Sequence, residues 1–237
     1  MAQGKQTARQ KMINLMYLVF IAMLAMQIDQ EIIRSYKDTT QSLEDTRILT
    51  ENNNNIFKMT LAAKAENSPE TFGKAKTDYD GLIGKADDLV KMIEGIKGEL
   101  SKNAEYNKDE TDISESFAAL NNTEPATNAF FAGGDENKPS KTAEDLKAKI
   151  ETFKTYINQT FGSNPLMKGV VDRTNKQMIT EFPTKDKKSN GKNWLQYKFY
   201  NQPLMAALSN LEVIQSSARG IQGDALSIML QDAGYKR

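Results

Sequence analysis

Residues 12–28 form an apolar run broken only by Asn14, Tyr17 and Gln27, and Arg9 stands three positions before it. The surface of such a run has to be hidden in lipid or in protein, which limits the chain more than any other feature. As a helix the run rises roughly 25 Å, slightly less than a ~30 Å hydrocarbon core. Extending it back to Arg9 and on to Ile33 supplies the missing length, with polar ends reaching the interfaces. A cleaved signal peptide shares the basic start and apolar run, but Ala22 and Ala25 are three apart and do not make an A-x-A site. A core helix of a soluble protein fits poorly with apolarity on nearly every face. The expectation is a membrane helix over residues 9–33, preceded by a short cytoplasmic N-terminus, 1–8.

Charge sets the orientation. Lys5, Arg9 and Lys11 precede the span with no acid among them, while Asp29 and Glu31 follow it. The N-terminus is therefore expected in the cytoplasm and the bulk of the chain across the membrane, in the periplasm of a two-membrane cell. At about 100° per residue, Arg9, Met16, Phe20 and Gln27 fall within about 40° of one another. Ile13 and Tyr17 flank that stripe, and Asn14 lies on a different face. Arg9 can snorkel to headgroups as a simple topology charge, or it can face protein inside the membrane. A single anchor does not require Asn14, Tyr17 and Gln27. Arg9 and Tyr17 are the candidate coupling residues, with Ile13, Asn14, Met16, Phe20 and Gln27 as candidate helix–helix contacts.

Beyond the run, composition mainly excludes. The 237 residues contain no Cys and no His, which removes disulfides, thiolate chemistry, zinc fingers and His-based triads. Formal charge is zero, with 31 basic and 31 acidic residues and no basic cluster of the kind nucleic acid requires. Paired carboxylates such as Asp87–Asp88 and Asp109–Glu110 read as solvated faces or loops. GIQGD near residue 220 lacks the GK[ST] ending and preceding strand of a phosphate loop. DYDG at 78–81 lacks the later ligands of a calcium loop. No catalytic constellation, cofactor or metal site is expected.

The remaining pattern is helical throughout, so the expected fold is all-α: a transmembrane helix followed by a helical bundle over 34–232 and a tail, 233–237. Ile32, Ile33, Tyr36, Leu43, Thr46 and Leu49 carry the membrane helix onward; the four asparagines at 52–55 either lie on an exposed face of it or break it, continuity being favoured, and a stop follows at Asn67, Ser68 and Pro69. A second helix is expected over 69–101, and an irregular connection over 121–141 in which Phe130 and Phe131 pin onto the bundle. A helix then begins at Thr142 and ends at Gly162 and Pro165. A shorter element covers 166–179, a basic loop follows, and a last helix covers 194–230 with a possible bend at Pro203. Apolar spacings of three and four suggest antiparallel packing, and heptads look too interrupted for a coiled coil.

The stretch RQKMINLMYLVFIAMLAM at 9–26 closely resembles the start of GldM/PorM proteins, and NWLQYKFYNQPLMAALSNLEVIQ at 193–215 is similar to that family more loosely. These are inner-membrane subunits of the gliding-motility and type IX secretion machinery of Bacteroidota. The resemblance implies a GldL/PorL partner whose membrane helices surround a pair of GldM helices, hence a homodimer. It implies that proton flow becomes motion passed through the periplasm to outer-membrane components. It also implies that Arg9 meets an acidic residue of the partner, with Tyr17 within reach of that site. Family members continue into β-rich periplasmic domains, so the chain looks like an N-terminal fragment. A passive secretion scaffold is the alternative, and a bitopic sensor is a third reading.

Overall fold

Thr7 opens the first helix by accepting a hydrogen bond from the Gln10 amide at 3.3 Å, and the helix then runs without a break to Asn67. This is α1, Ala8–Asn67, and its 60 residues make a rod of about 90 Å. The computed structural model describes residues 7–183 and 187–231. The expected cytoplasmic N-terminus up to Gln6, the centre of the basic loop and the tail from Asp232 lie outside the described residues. Among those described there is no β-strand, only an isolated bridge between Phe131 and Pro139. The fold is all-α.

None of the apolar N-terminal window of α1 is buried within the protein, so it is not a core helix, and it stands as a candidate membrane span. From Ile33 onward α1 is covered on one side. The helix also continues through the asparagines at 52–55, because Asn54 faces inward and the other three face solvent. Ser68 is the whole connection to α2, Pro69–Asn103, with Pro69 occupying the first turn where a missing N–H costs nothing.

The rest of the bundle is α3, Ile113–Leu120; α4, Glu124–Phe130; α5, Lys141–Phe161; α6, Lys168–Gln177; α7, Trp194–Phe199; and α8, Leu204–Gln231. The largest interface joins α1 to α8; α2 packs against both of them and also carries α5. Leu82, Leu89, Ile93 and Leu100 of α2 and Leu146, Ile150, Phe153 and Ile157 of α5 are buried at helical spacing, as their periodicity predicts. On α2, Gly81 admits Tyr156 of α5, whose hydroxyl donates to the Asp78 carbonyl at 2.7 Å and occupies the place a Cβ would take.

Three expectations are corrected. The 121–141 connection is not wholly irregular, since Pro125 in a first turn and the Asn122 side chain on the Glu124 amide start α4. Phe130 and Phe131 are fully buried, Phe130 stacking on Phe199 at 3.9 Å between centroids. Next, α5 is capped by Ser140 rather than starting at Thr142, because the Ser140 hydroxyl accepts the Ala143 amide at 3.2 Å. Finally, the last helix does not merely bend. Asn201 takes a left-handed φ of 54°, and the Leu204 amide bonds the Asn122 carbonyl at 2.8 Å, so α7 and α8 are separate.

Direction is the other departure from the sequence reading. Arg47 meets Glu212, Asn54 meets Arg219 and Lys64 meets the Leu230 carbonyl, so α8 runs parallel to α1 rather than antiparallel. Both helices therefore end together, at the tip farthest from the candidate span.

Candidate functional site

The N-terminal part of α1 places Arg9, Ile13, Asn14, Met16, Tyr17, Phe20 and Gln27 on one uninterrupted helix, every one of them exposed. Helical geometry sets Arg9, Met16, Phe20 and Gln27 on a common stripe, with Ile13 and Tyr17 at its edges and Asn14 apart. Among the described residues, no side chain of the bundle covers them.

The structure adds a second polar array that the apolar pattern hid. The side chains of α1 turned toward the bundle include a row of Ile33, Lys37, Thr40, Glu44, Arg47, Glu51, Asn54, Leu61 and Ala65, with Leu43, Thr50, Ala62 and Lys64 half-buried beside it. Steps along the row alternate four and three, apart from one seven-residue step over exposed Lys58, which is the heptad spacing of a coiled-coil seam. On α8 the row that runs through the array is Met205, Leu208, Glu212, Gln215, Arg219, Gln222, Leu226 and Met229, with Glu212 and Arg219 bonded to α1 and Gln215 and Gln222 to α2. Heptads are thus sustained after all, but their middle is polar.

Glu212 is the centre of this array and is fully buried. Its Oε1 accepts Arg47 Nε at 2.7 Å and its Oε2 accepts Lys97 Nζ, from α2, also at 2.7 Å. Arg47, itself 7% exposed, extends Nη1 to Glu51 Oε1 at 3.0 Å. That same oxygen accepts Arg219 Nε at 3.0 Å, and Arg219 Nη1 reaches Asp87 at 2.6 Å. Asp87 is therefore a partner in the network rather than simply a solvated carboxylate. Gln215 bridges the Val90 carbonyl and Glu94, while Gln222 donates to the Tyr79 hydroxyl at 2.9 Å. Asn54 donates to the Arg219 carbonyl at 3.2 Å. Charges alternate along the chain of contacts, so each buried ion is compensated.

The electrostatics follow from this arrangement. Burial disfavours the Arg47 cation, but the Glu212 bond and the Glu212 and Glu51 charges outweigh it and raise its pKa. Burial acts to raise the Glu94 carboxyl, while the Gln215 bond and the Lys97 and Arg47 cations prevail and hold it below its ordinary value. Burial pushes the Tyr79 hydroxyl up, partly offset by Gln222. An open groove of about 240 Å³ lies beside the array between α1, α2 and α8. Its lysines are already engaged: Lys37 with the Glu110 carbonyl, Lys97 with Glu212 and Lys108 with Glu44. Among the described residues, no group of acids is placed to hold a metal ion.

A family model described as the GldM N-terminal domain matches residues 31–232, which is most of the chain. The chain belongs to the GldM family. Membership brings it into the gliding-motility and type IX secretion machinery, in a family of membrane-anchored machinery components rather than a known enzyme family. The match begins where the candidate span of this GldM-family chain ends, so it covers the bundle and the buried seam but not Arg9 or Tyr17. No curated protein matches the chain. Sequence reasoning missed the seam because it followed apolar residues. The signal was available in Arg47, Glu51 and Asn54 on α1 and in Glu212, Gln215, Arg219 and Gln222 on α8, two polar rows at matching spacings of three and four.

Proposed function

We propose that the chain is a force-transmitting subunit of a proton-motive-force-driven inner-membrane motor that powers type IX secretion and gliding. The observation that carries this reading is the single helix α1, which joins the stripe around Arg9 to the bundle with no hinge between them. In a ring of GldL/PorL-type membrane helices, Arg9 pairs with an acidic side chain of the partner. An arginine keeps its proton in proteins, so the proton that moves belongs to the partner carboxylate. Protonation of that acid removes the attraction and changes which orientation of α1 is preferred. Because α8 runs parallel to α1, it carries the chain to the far tip, where the family's later periplasmic domains continue toward the outer membrane.

The exposed side of α1 favours a homodimer. Ile28, Ile32, Ser35, Thr39, Ser42, Thr46, Leu49, Asn53, Ile56, Thr60 and Ala63 alternate steps of four and three, are all exposed and include no charge. Thr46 and Thr60 already bond the carbonyls of Ser42 and Ile56, at 2.8 and 3.2 Å, so these two hydroxyls keep a partner when the stripe is covered. Such a stripe suits a second α1. Tyr17, Leu24 and Ile28 lead into it, whereas Arg9, Phe20 and Gln27 lie roughly 70° round the helix and face the ring. Two helices in a ring of another number make unequal contacts, which suits stepping. In the complete protein assembled with its partner, Arg9→Ala is expected to abolish secretion and gliding, and Arg9→Lys to impair them by losing the guanidinium fork. Full activity of Arg9→Ala would return the chain to a passive scaffold.

A further inference from the structure

The polar middle of the α1–α8 seam is more than a way of burying charge. Leu61 and Ala65 beyond it, with Leu226 and Met229 on α8, show that the same interface is built from apolar residues where nothing else is required. Two parallel heptad rows made only of such residues would fit nearly as well after a seven-residue slide or a small rotation of α1. The charges forbid this. A slide of one heptad in one direction sets Arg47 against Arg219, two cations face to face. In the other direction it sets Arg47 against Met205, leaving a buried cation with no carboxylate opposite it and Glu212 with Lys97 alone. Further along, Asn54 lies so close to α8 that its Oδ1 is 2.9 Å from where a Cβ on Gly223 would sit. Any rotation of α1 about its axis drives that side chain into the α8 backbone or pulls it off the Arg219 carbonyl.

We propose that Arg47, Lys97 and Glu212, with Asn54 seated on Gly223, form a register lock that fixes the azimuth of α1 on the bundle. A turn of the membrane helix is then delivered to α8 without slip. Arg47, Lys97 and Glu212 are positioning residues, and the proposal rests on the motor reading given above. The lock gives up stability for specificity, since apolar replacements of similar volume often cost nothing in stability.

The chain contains no cysteine, so spin labels can be placed at chosen sites, for example through Asp45→Cys on α1, outside the proposed dimer stripe, and Val213→Cys on α8, both exposed. In the complete protein bound to its partner, the wild-type seam gives one narrow distance distribution. The triple variant Arg47→Met, Lys97→Met, Glu212→Leu is expected to assemble and melt no earlier than wild type, with a broad or divided distribution and lost secretion. Adding Asn54→Cys with Gly223→Cys to the unlabelled triple variant replaces the polar lock by a disulfide. Secretion should return under oxidising conditions and be lost again on reduction. Arg47→Lys keeps a cation for Glu212 but loses the fork to Glu51, and is the milder variant if the triple one does not fold. It should give an intermediate width. A distribution as narrow as wild type in either folded variant overturns the lock, as does full secretion with a broadened distribution. Failure of the motor reading is seen separately, as full activity of Arg9→Ala with the seam intact.

Discussion

Glu212 shows how a single side chain can be both buried and obligatory. Truncating it to Ala leaves Arg47 and Lys97 facing each other without their shared carboxylate, and the loss is expected to be about 3–5 kcal/mol in urea unfolding of the whole chain. Glu94 acts at the seam's edge with the opposite dependence on environment. Its carboxyl is held below the ordinary value in the folded chain, so the unfolded chain takes up the proton first. The stability it contributes is complete above the ordinary carboxylate range and is lost as pH falls through the lowered folded value. Its side chain is 57% exposed, so the contribution is small; Glu94→Gln should flatten the acid limb of the stability–pH curve without changing the plateau by much. Gly81 gives a prediction in which packing overrules propensity. Ala is the better helix former by about 1 kcal/mol. Yet a Cβ at Gly81 displaces the Tyr156 hydroxyl from the Asp78 carbonyl, so Gly81→Ala is expected to destabilise by roughly 1–2 kcal/mol in thermal or urea unfolding.

At the scale of elements, what the sequence disclosed depends on whether a helix is buried through apolar or polar side chains. Helices α2 and α5 were legible because Leu82, Leu89, Ile93, Ile150, Phe153 and Ile157 repeat at helical spacing on one face. The break between α7 and α8 was only half legible. Pro203 announced a disturbance, but the decisive contact, Leu204 on the Asn122 carbonyl, joins residues far apart in the chain. The face of α1 was only partly legible. Ile33 and Leu61 are buried, but the equally apolar Ile32, Leu49 and Ile56, with Met59, are exposed, while Arg47 and Asn54 are buried. Hydropathy points to the wrong side of the helix because the charged side binds the bundle, which leaves the apolar side open for the proposed second copy. Placing acids on the outer stripe tests this directly. Leu49→Glu with Ile56→Glu should leave helix content and melting nearly unchanged while shifting the purified full chain from dimer to monomer in sedimentation; a dimer of unchanged strength would remove the stripe from the interface.

Across the whole molecule, α1 joins the candidate span to the bundle as one unbroken helix. About 47 Å of helix separate Ile33 from Lys64, and α8 lies parallel along most of that length. A passive anchor needs none of this, since a flexible tether would hold the bundle at the membrane equally well. The central claim is therefore that rigidity between Gln27 and Ile33 is required for work rather than for attachment. It is tested most directly by two insertions of equal length after Gln30 in the complete protein, with secretion measured in cells and assembly with the partner checked by co-purification. Seven helix-forming residues keep both the rod and its heptad phase, and secretion is predicted to persist. Seven Gly and Ser residues keep the tether but remove the rod, and secretion is predicted to be lost while the complex still assembles. Normal secretion with the Gly/Ser insertion would contradict the account.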